Sequence, residues 1–188
     1  MTGIILSGGK NTRMGANKAF IRVDGERLID TTARIFKDIF SEVILVTNSP
    51  LEYLDQDVLI TVDIIKGKGA LGGIYTGLFY STSDYSFVSA CDMPFLSTRF
   101  IKYMIGEIGH YDIVVPAPSS GLQPLHAIYS KKCLHPIKKH MDLGKLKITG
   151  FYDSLKTSRI SADTIKSFDP AGRMFVNINS KEDLKRIS

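Results

Sequence analysis

Short runs of apolar, often β-branched residues alternate along the chain with segments whose apolar residues recur at helical spacing. The segment from Leu28 to Phe40 shows the second pattern, with Leu28, Ile35 and Ile39 among the residues on one face. The first pattern predicts strands at residues 3–7, 43–47, 58–62, 85–90, 112–116, 126–129 and 175–178. The second predicts helices at residues 28–40, 72–80, 97–108, 132–140 and 145–155. A capping-box pattern at Ser180-Lys181-Glu182-Asp183 predicts the start of a final helix.

This order of elements predicts an α/β fold. Strands separated by helices form βαβ units, which give a mostly parallel sheet with helices on both faces. The chain has 188 residues, a length that fits one domain spanning residues 1–188. Ligands of such sheets bind beyond the carboxyl ends of the strands, so the residues that follow each strand are the candidates for a binding site.

The composition is that of an ordinary globular protein, with 44% hydrophobic and 23% charged residues. No apolar run approaches the ~20 residues of a membrane-spanning helix, and the first residues lack the features of a signal peptide. The two cysteines, Cys91 and Cys133, predict no disulfide framework, so we expect a cytoplasmic protein without membrane contact. The net charge of +5 favours anionic ligands. Because the lysines are scattered and not interleaved with aromatic residues, a small phosphate-bearing ligand is favoured over nucleic acid.

The first predicted strand runs into a segment rich in glycine and cations. Residues 7–18 read Ser-Gly-Gly-Lys-Asn-Thr-Arg-Met-Gly-Ala-Asn-Lys. Glycines let backbone N–H groups approach a phosphate closely, Arg13 can bind phosphate oxygens in a bidentate way, and Lys18 adds a positive charge. The spacing matches neither a dinucleotide-binding Gly-x-Gly-x-x-Gly motif nor a P-loop. The alternative is a glycine-rich turn with solvated basic residues, but the order of strand, glycines and cations favours a triphosphate site.

Two further motifs follow predicted strands. Asp92, in Cys-Asp-Met-Pro, stands where a carboxylate can bind Mg²⁺ together with substrate phosphates. The alternative is an aspartate that begins a proline turn. Residues 66–74, Lys-Gly-Lys-Gly-Ala-Leu-Gly-Gly-Ile, open a helix whose N-terminus either binds an anion or packs closely against the sheet. The motif alone favours neither of these two interpretations.

Five motifs together resemble the molybdenum cofactor guanylyltransferase family. They run in the family's order from residue 6 to residue 184, so the resemblance covers nearly the whole chain. The motifs are Leu6-Ser7-Gly8-Gly9 with Arg13-Met14-Gly15 and Lys18, then Gly69-Ala70-Leu71-Gly72-Gly73-Ile74, then Cys91-Asp92-Met93-Pro94-Phe95, then Gln123-Pro124-Leu125-His126-Ala127, and last Asn177-Ile178-Asn179-Ser180 with Glu182-Asp183-Leu184. The first motif alone indicates only the wider nucleotidyltransferase superfamily, and the combination is more specific.

The resemblance implies a single Rossmann-like nucleotidyltransferase domain that takes GTP and Mg²⁺. It implies transfer of GMP to the terminal phosphate of molybdopterin, with release of pyrophosphate, and transient contact with other molybdenum-cofactor biosynthesis proteins. By position, Leu6, Ser7, Gly8 and Gly9 would line the guanine and ribose, Arg13 and Lys18 would hold the phosphates, Asn48 and Asp63 would contact the nucleotide, Asp92 would bind magnesium, and Asn177 and Asn179 would lie near the pterin. Arg13, Lys18 and Asp92 are then the candidate catalytic residues.

The chain departs from the family pattern at two positions. Asn11 stands where serine or alanine is frequent, and Ala70 stands where proline is usual. Neither change removes a group that the chemistry needs, and the sequence identifies no second magnesium ligand. Near the motifs, we expect His126 to be a packed, hydrogen-bonded residue and Cys91 to be a small buried thiol.

Three alternative functions share parts of this pattern: a cytidylyltransferase acting on the same pterin, a sugar-phosphate nucleotidyltransferase, and a non-catalytic nucleotide-binding module. Against the first, the first motif of this chain has Gly8-Gly9 at the position where the cytidylyl enzymes have an Ala-Gly pair. Against the second, sugar-nucleotide enzymes usually have longer chains. Against the third, Arg13, Lys18 and Asp92 are all present, whereas a mere binder could lose the metal ligand.

Overall fold

A mixed seven-stranded sheet forms the centre of the protein. The structure, a computed structural model, describes residues 1–8, 17–178 and 183. Its strands are β1 (Thr2–Ser7), β2 (Arg22–Val23), β3 (Glu26–Arg27), β4 (Glu42–Thr47), β5 (Leu59–Thr61), β6 (Tyr85–Ala90), β7 (Ile113–Pro116), β8 (His126–Ser130) and β9 (Thr157–Ile160). The sheet has the order β5-β4-β1-β6-β8-β7-β9, and β2 pairs with β3 in a separate hairpin. Within the sheet, β8 runs antiparallel to β6 and β7, and the other pairs are parallel.

Helices cover both faces of this sheet. The α-helices are α1 (Leu28–Ile39), α2 (Gly69–Tyr80), α3 (Thr98–Gly106), α4 (Leu134–Asp142) and α5 (Ala162–Phe168). Short 3₁₀-helices cover Lys18–Phe20, Pro50–Tyr53, Lys131–Cys133 and Ile148–Ser154. Apolar residues of α1, α3 and α5 pack into the core on one face, and those of α2 and α4 pack into the core on the other. In the part of the chain that is described, no helix has the length and apolar character needed to cross a membrane.

Strand β1 lies inside the sheet, between β4 and β6, and is buried along its whole length. Its Ile5 packs into one core, whereas Ile4 and Leu6 pack into the other. A strand covered on both faces needs apolar residues on both sides, which explains the continuous apolar run. Helix α2 lies directly on this strand, because a Cβ added at Gly77 would be only 2.5 Å from Ile4 Cγ2.

The sequence predicted this architecture. The α/β class, the mostly parallel sheet and the helices on both faces are confirmed. Strand β6 has the predicted bounds, and helix α2 begins at Gly69, three residues earlier than predicted. Helices and strands that carry large apolar residues were therefore located well, because burial fixes their periodicity.

Two predicted elements are wrong. Residues 175–178 do not form a strand. Instead, the Ile178 N–H donates a hydrogen bond to the Asp92 carbonyl oxygen at 2.9 Å, so this segment is bound to the turn after β6 and not to a sheet edge. Residues 145–155 do not form one regular helix. Gly144, at φ +68°, lies just beyond the end of α4, and the chain resumes as the 3₁₀-helix Ile148–Ser154.

Several short polar elements were missed. The hairpin β2–β3 turns at Asp24-Gly25, whose φ angles of 51° and 86° are those of a tight two-residue hairpin turn. Strand β9 pairs with β7 and forms one edge of the sheet. Helix α5 begins after Ser161, whose side chain accepts a hydrogen bond from the Thr164 N–H. The predicted helix after Ser180 lies outside the described residues, apart from Asp183, which is helical.

Candidate active site

The carboxyl ends of β1, β4 and β6 meet at one edge of the sheet, because the three strands are adjacent and parallel. Ser7 ends β1, Asn48 follows β4, and Asp92 lies two residues beyond β6. The Cys91 N–H donates to the Leu6 carbonyl oxygen at 3.1 Å, which holds the turn after β6 against the end of β1. Residues far apart in the sequence are thus brought to the edge where α/β proteins bind their ligands.

Gly8 follows β1 directly and is exposed to solvent. Leu6 and Ser7 are buried, whereas Gly8 is exposed. A Cβ placed at Gly8 would have one heavy-atom neighbour within 4 Å among the described residues, the Asn48 Nδ2 at 4.0 Å. At Leu6 the packing is tight, since a Cβ at Gly73 of α2 would lie 3.1 Å from Leu6 Cδ2. Among the described residues, the chain is therefore openly packed around Gly8 and tightly packed around Leu6.

The side chains of Ser7 and Cys91 are engaged with each other and with Tyr53. The Ser7 Oγ lies 2.6 Å from the Tyr53 hydroxyl, and the Cys91 thiol donates to Ser7 Oγ at 3.2 Å. Burial raises the pKa of Cys91 to about 12, so the thiol stays protonated at neutral pH. Cys91 is the small buried thiol that the sequence predicted, and neither Ser7 nor Cys91 is arranged as a nucleophile.

Asn48 and Asp63 form one wall of the crevice. The Asn48 side-chain amide donates to Asp63 Oδ2 at 2.8 Å, so the two residues predicted to contact the nucleotide are in contact with each other. Asp63 also borders the start of α2, since its Oδ1 would lie 3.8 Å from a Cβ at Gly73. Gly8, Asn48, Asp63 and Gly73 are therefore neighbours at the carboxyl ends of β1 and β4.

The carboxylate of Asp92 is partly withdrawn from solvent. Its Oδ1 atom is buried and has no hydrogen-bond partner among the described residues. Desolvation raises the pKa of Asp92, and the positive charge of Lys18 acts in the opposite direction. Within residues 1–8, 17–178 and 183, no group of three His, Cys, Asp or Glu residues could hold a metal ion by itself. This geometry suits Mg²⁺, which takes one or two protein carboxylates and completes its shell with water and substrate phosphates.

Lys18 and the segment that contains Asn177 come from different parts of the chain and both lie near Asp92. Lys18 begins a 3₁₀-helix, and its charge is close enough to influence the pKa of Asp92. Asn177 is exposed and precedes Ile178, whose N–H is bonded to the Asp92 carbonyl oxygen. The other predicted site residues, Gly9, Arg13 and Asn179, lie outside the described residues.

His126 belongs to the core and not to the crevice. It is fully buried, and its ring lies against those of Phe87, Phe100 and Phe175, with centroids 5.0, 5.9 and 5.2 Å away. The prediction of packing is confirmed, but the predicted hydrogen bond is not present, because neither ring nitrogen has a partner in the described part of the chain. Burial lowers the pKa of His126 to about 3, so the ring is neutral at physiological pH.

Two further residues at the crevice, Asn17 and Tyr53, were not predicted from the sequence. The Asn17 side-chain amide donates to the Tyr53 hydroxyl at 2.7 Å and to Glu52 Oε2 at 2.7 Å. Tyr53 reaches the end of β1 from the 3₁₀-helix after β4, a connection that depends on the fold alone. The one available signal was the position of Asn17 beside Lys18, which is compatible with an N-cap.

Comparison with known proteins agrees with this geometry. Residues 3–157 match the family described as the MobA-like NTP transferase domain. A molybdenum cofactor guanylyltransferase from Desulfosudis oleivorans is 40% identical, over 99% of this chain and 93% of that protein. The chain belongs to the molybdenum cofactor guanylyltransferase family. A probable member from Peptoclostridium acidaminophilum is 36% identical, over 98% of this chain and 87% of its own.

A solved structure extends the likeness to three dimensions. The molybdopterin-guanine dinucleotide biosynthesis protein A from Archaeoglobus fulgidus superposes with a TM-score of 0.85 at 26% identity. The alignment covers 99% of this chain and 96% of that one. The two proteins therefore share their fold over nearly the full length of both chains.

Proposed function

We propose that this protein is a Mg²⁺-dependent guanylyltransferase that transfers GMP from GTP to the terminal phosphate of molybdopterin. In this reaction a phosphate oxygen of molybdopterin bonds to the α-phosphorus of GTP. The bond from that phosphorus to the oxygen bridging to the β-phosphate breaks, and pyrophosphate leaves with the bridging oxygen. The names of the relatives support this reaction, and the observation in this chain that carries it is the buried Oδ1 of Asp92, which has no hydrogen-bond partner among the described residues.

The residues of the crevice suit a reaction driven by positioning and charge neutralisation. Phosphoryl-type transfer needs little covalent chemistry from the protein. The acceptor phosphate is already ionised near neutral pH, so no strong general base is required. We propose that Lys18 and Arg13 bind the triphosphate, because both carry fixed positive charge on the segment that follows β1. Their charge would oppose the negative charge that develops on the leaving pyrophosphate.

The base would bind in the space in front of Gly8. Leu6, Ser7, Gly8 and Gly9 would line the guanine and ribose, with Gly8 leaving room that a side chain would fill. Guanine presents N–H donors on its edge, and a carboxylate such as that of Asp63 accepts such bonds. Asn48 would hold Asp63 in position through the 2.8 Å bond between their side chains.

Asp92 is the residue that would hold Mg²⁺ in this chain. Bound there with the triphosphate, the ion would supply charge neutralisation and fix the orientation of the phosphates. The raised pKa of Asp92 agrees with a carboxylate whose counter-charge arrives with the ligand. On the other side of Asp92, Asn177 and Asn179 would face the pterin of the acceptor, since Ile178 between them is bonded to the Asp92 backbone.

The test of this proposal is Asp92→Asn, which keeps the side-chain size but removes the charge. Turnover of GTP and molybdopterin should fall about a hundred-fold or more, because several kcal/mol of charge stabilisation depend on the ion. The melting temperature should stay level or rise, because the variant no longer buries a charged oxygen that has no hydrogen-bond partner in the described part of the chain. Release of pyrophosphate and formation of the guanine dinucleotide are measured with and without Mg²⁺.

The matched control is Asp112→Asn. Asp112 is also a buried aspartate, but it precedes β7 at the opposite edge of the sheet. This variant should retain turnover even if it is less stable. Near-normal Mg²⁺-dependent turnover of a folded Asp92→Asn protein would refute the role of Asp92. Turnover with CTP or UTP in place of GTP, or nucleotide binding without any turnover, would instead support one of the alternative functions.

The remaining parts of the proposal concern the whole chain. We propose that residues 1–188 act as one nucleotidyltransferase domain, since the family match and the sheet together extend from residue 2 to residue 160. We also propose that the protein works in the cytoplasm and contacts other molybdenum-cofactor biosynthesis proteins transiently to receive molybdopterin. Co-purification of molybdopterin with such a protein, measured with and without this chain, tests the last point.

A further inference from the structure

One buried hydroxyl joins the two chain segments that flank residues 9–16. The Tyr53 hydroxyl lies 2.6 Å from Ser7 Oγ, before that stretch, and accepts a hydrogen bond from Asn17 Nδ2 at 2.7 Å, after it. Tyr53 itself is fully buried. We refer to Ser7, Asn17 and Tyr53 as the Tyr53 bridge. The bridge brings the exit of β1 and the start of the Lys18–Phe20 helix to a common point.

The Tyr53 ring is held firmly in its place. It packs against Phe20 with a centroid distance of 5.0 Å, and the Arg27 guanidinium lies 5.5 Å from the Phe20 ring centroid. Arg27 forms ion pairs with Asp30 and with Asp55, two residues beyond Tyr53. The Tyr53 hydroxyl is therefore a fixed point, so both flanks are positioned by the body of the fold.

Asn17, at the far end of the Tyr53 bridge, makes two further hydrogen bonds. Asn17 Nδ2 also donates to Glu52 Oε2 at 2.7 Å, and Asn17 Oδ1 accepts from the Ala19 N–H at 3.2 Å. One side chain thus caps the helix that begins with Lys18 and binds the 3₁₀-helix that carries Tyr53. The position of Lys18 relative to Asp92 depends on this arrangement, because Asn17 is its immediate neighbour in the chain.

We propose that Tyr53 is a positioning residue for the triphosphate, acting through both flanks of residues 9–16. The inference rests on the proposed function, since it assumes that Arg13 and Lys18 bind phosphates. Tyr53 touches neither the substrate nor the metal in this proposal. Its hydroxyl fixes the chain where it leaves β1 at Ser7 and where it continues at Asn17, and thereby helps to set the position of Lys18 relative to Asp92.

The test is Tyr53→Phe, which keeps the packed ring and removes the hydroxyl from both contacts. The matched control is Tyr129→Phe. Tyr129 is equally buried, and its hydroxyl also makes two contacts, with the Pro124 carbonyl oxygen at 2.7 Å and the Tyr152 hydroxyl at 2.6 Å. It lies in β8 opposite Ser86 of β6, near the edge of the sheet that is remote from the crevice. The two variants should lose similar thermal stability.

The first measurement is limited trypsin cleavage of the unliganded protein, followed by mass spectrometry. Trypsin cuts after lysine and arginine, and Lys10 and Arg13 lie between the two flanks. Cleavage after these residues should be several-fold faster in Tyr53→Phe than in the wild type or in Tyr129→Phe. This result does not depend on GTP, so it tests the bridge even if the proposed function is wrong. Equal cleavage rates in the two variants would overturn the inference.

The second measurement is steady-state kinetics with GTP, Mg²⁺ and molybdopterin. Misplacement of a binding group by about 1 Å can cost about a hundred-fold in rate, so kcat/KM for GTP should fall about ten- to a hundred-fold in Tyr53→Phe. The KM for molybdopterin should be unchanged, and Tyr129→Phe should keep wild-type kinetics. Equal losses in the two variants would reduce Tyr53 to a residue that stabilises the fold. A wild-type protein that shows no turnover would contradict the proposed function instead.

Discussion

The variant Gly8→Ala distinguishes two possible roles of Gly8, one in the folding of the protein and one in the binding of the nucleotide. The structure predicts no clash within the described residues, because the nearest heavy atom to an added Cβ is Asn48 Nδ2 at 4.0 Å. The φ angle of Gly8 lies outside the left-handed region, so alanine causes no strain there. Gly8→Ala should therefore leave folding intact, and its effects on activity should come from the nucleotide.

The expected effect is selective for the base. If guanine occupies the space in front of Gly8, the methyl group crowds it, whereas the smaller cytosine is affected less. Discrimination by pocket shape of this kind is worth about 1–3 kcal/mol. Since about 1.4 kcal/mol corresponds to a factor of ten, the ratio of kcat/KM for GTP over CTP should fall by about 5- to 150-fold. Most of this change should come from weaker use of GTP.

The assay measures kcat/KM for both nucleotides in the wild type and in Gly8→Ala, with molybdopterin as the acceptor. Gly106→Ala is the matched control, because a Cβ at Gly106 meets no atom within 4 Å among the described residues and this residue ends α3. Thermal melts of both variants should match the wild type or exceed it slightly. An equal fall for GTP and CTP would refute guanine selection by Gly8 and leave it as part of the phosphate-binding segment.

Three further predictions use the same protein. Lys18→Ala should lower kcat/KM for GTP by about 10²- to 10³-fold with little change in melting temperature, because it removes charge stabilisation of the transition state; Lys102→Ala, an exposed change on α3, is the control. The free energy of unfolding should fall by about 2 kcal/mol between pH 7 and pH 5 through His126, because its pKa of about 3 in the folded protein lies below the unfolded value of 6.5. His126→Leu should abolish that part of the pH dependence in urea unfolding. Gly77→Ala should destabilise the protein by about 1–3 kcal/mol, since the new methyl group overlaps Ile4.

Each of these predictions has a result that would contradict it. A loss of activity in Lys18→Ala that merely followed a loss of folded protein would exclude the phosphate role. For His126, the sign matters: the unfolded chain binds the proton more readily, so stability is retained above pH 6.5 and lost as the pH falls towards 3. An unchanged slope in His126→Leu would show that other groups cause the pH dependence. A Gly77→Ala protein as stable as Gly106→Ala would mean that α2 can move away from β1.

The sequence predicted the central sheet well because large apolar residues leave a strong periodic signal. β1, β4 and β6 need apolar side chains on both faces, and each was located to within one residue. The elements that were missed, such as β9 and α5, are short, and β9 carries few large apolar residues. Residues 175–178 look like a strand because their composition is apolar, but tertiary contacts with the turn after β6 decide their conformation.

In the site too, residues that belong to a motif were predicted, whereas residues positioned by tertiary contacts were not. Residues placed by a motif, such as Asp92, lie where the rule for α/β sheets expects them, just beyond the carboxyl end of a strand. Tyr53 could not be predicted, because its contact with Ser7 depends on a 3₁₀-helix that folds back over β1. The environment of His126 was also beyond prediction, since the sequence does not show that three aromatic rings lie against it and that no described residue hydrogen-bonds its ring nitrogens. Long-range side-chain contacts are properties of the packed core and not of local patterns.

The hydrogen bond from Ile178 to the Asp92 backbone has a consequence for how such enzymes diversify. The match to the MobA-like NTP transferase domain ends at residue 157, whereas Asn177, which is proposed to face the acceptor, lies beyond it. Under the proposed function, the nucleotide and the acceptor would thus be bound by separate stretches of the chain, and the hydrogen bond from the Ile178 N–H to the Asp92 carbonyl oxygen links the two. A graft of residues 161–178 from a relative with another acceptor could alter acceptor choice while nucleotide choice is retained. Recombination between homologues could exploit the same junction, because β9 closes the sheet before the exchanged stretch begins.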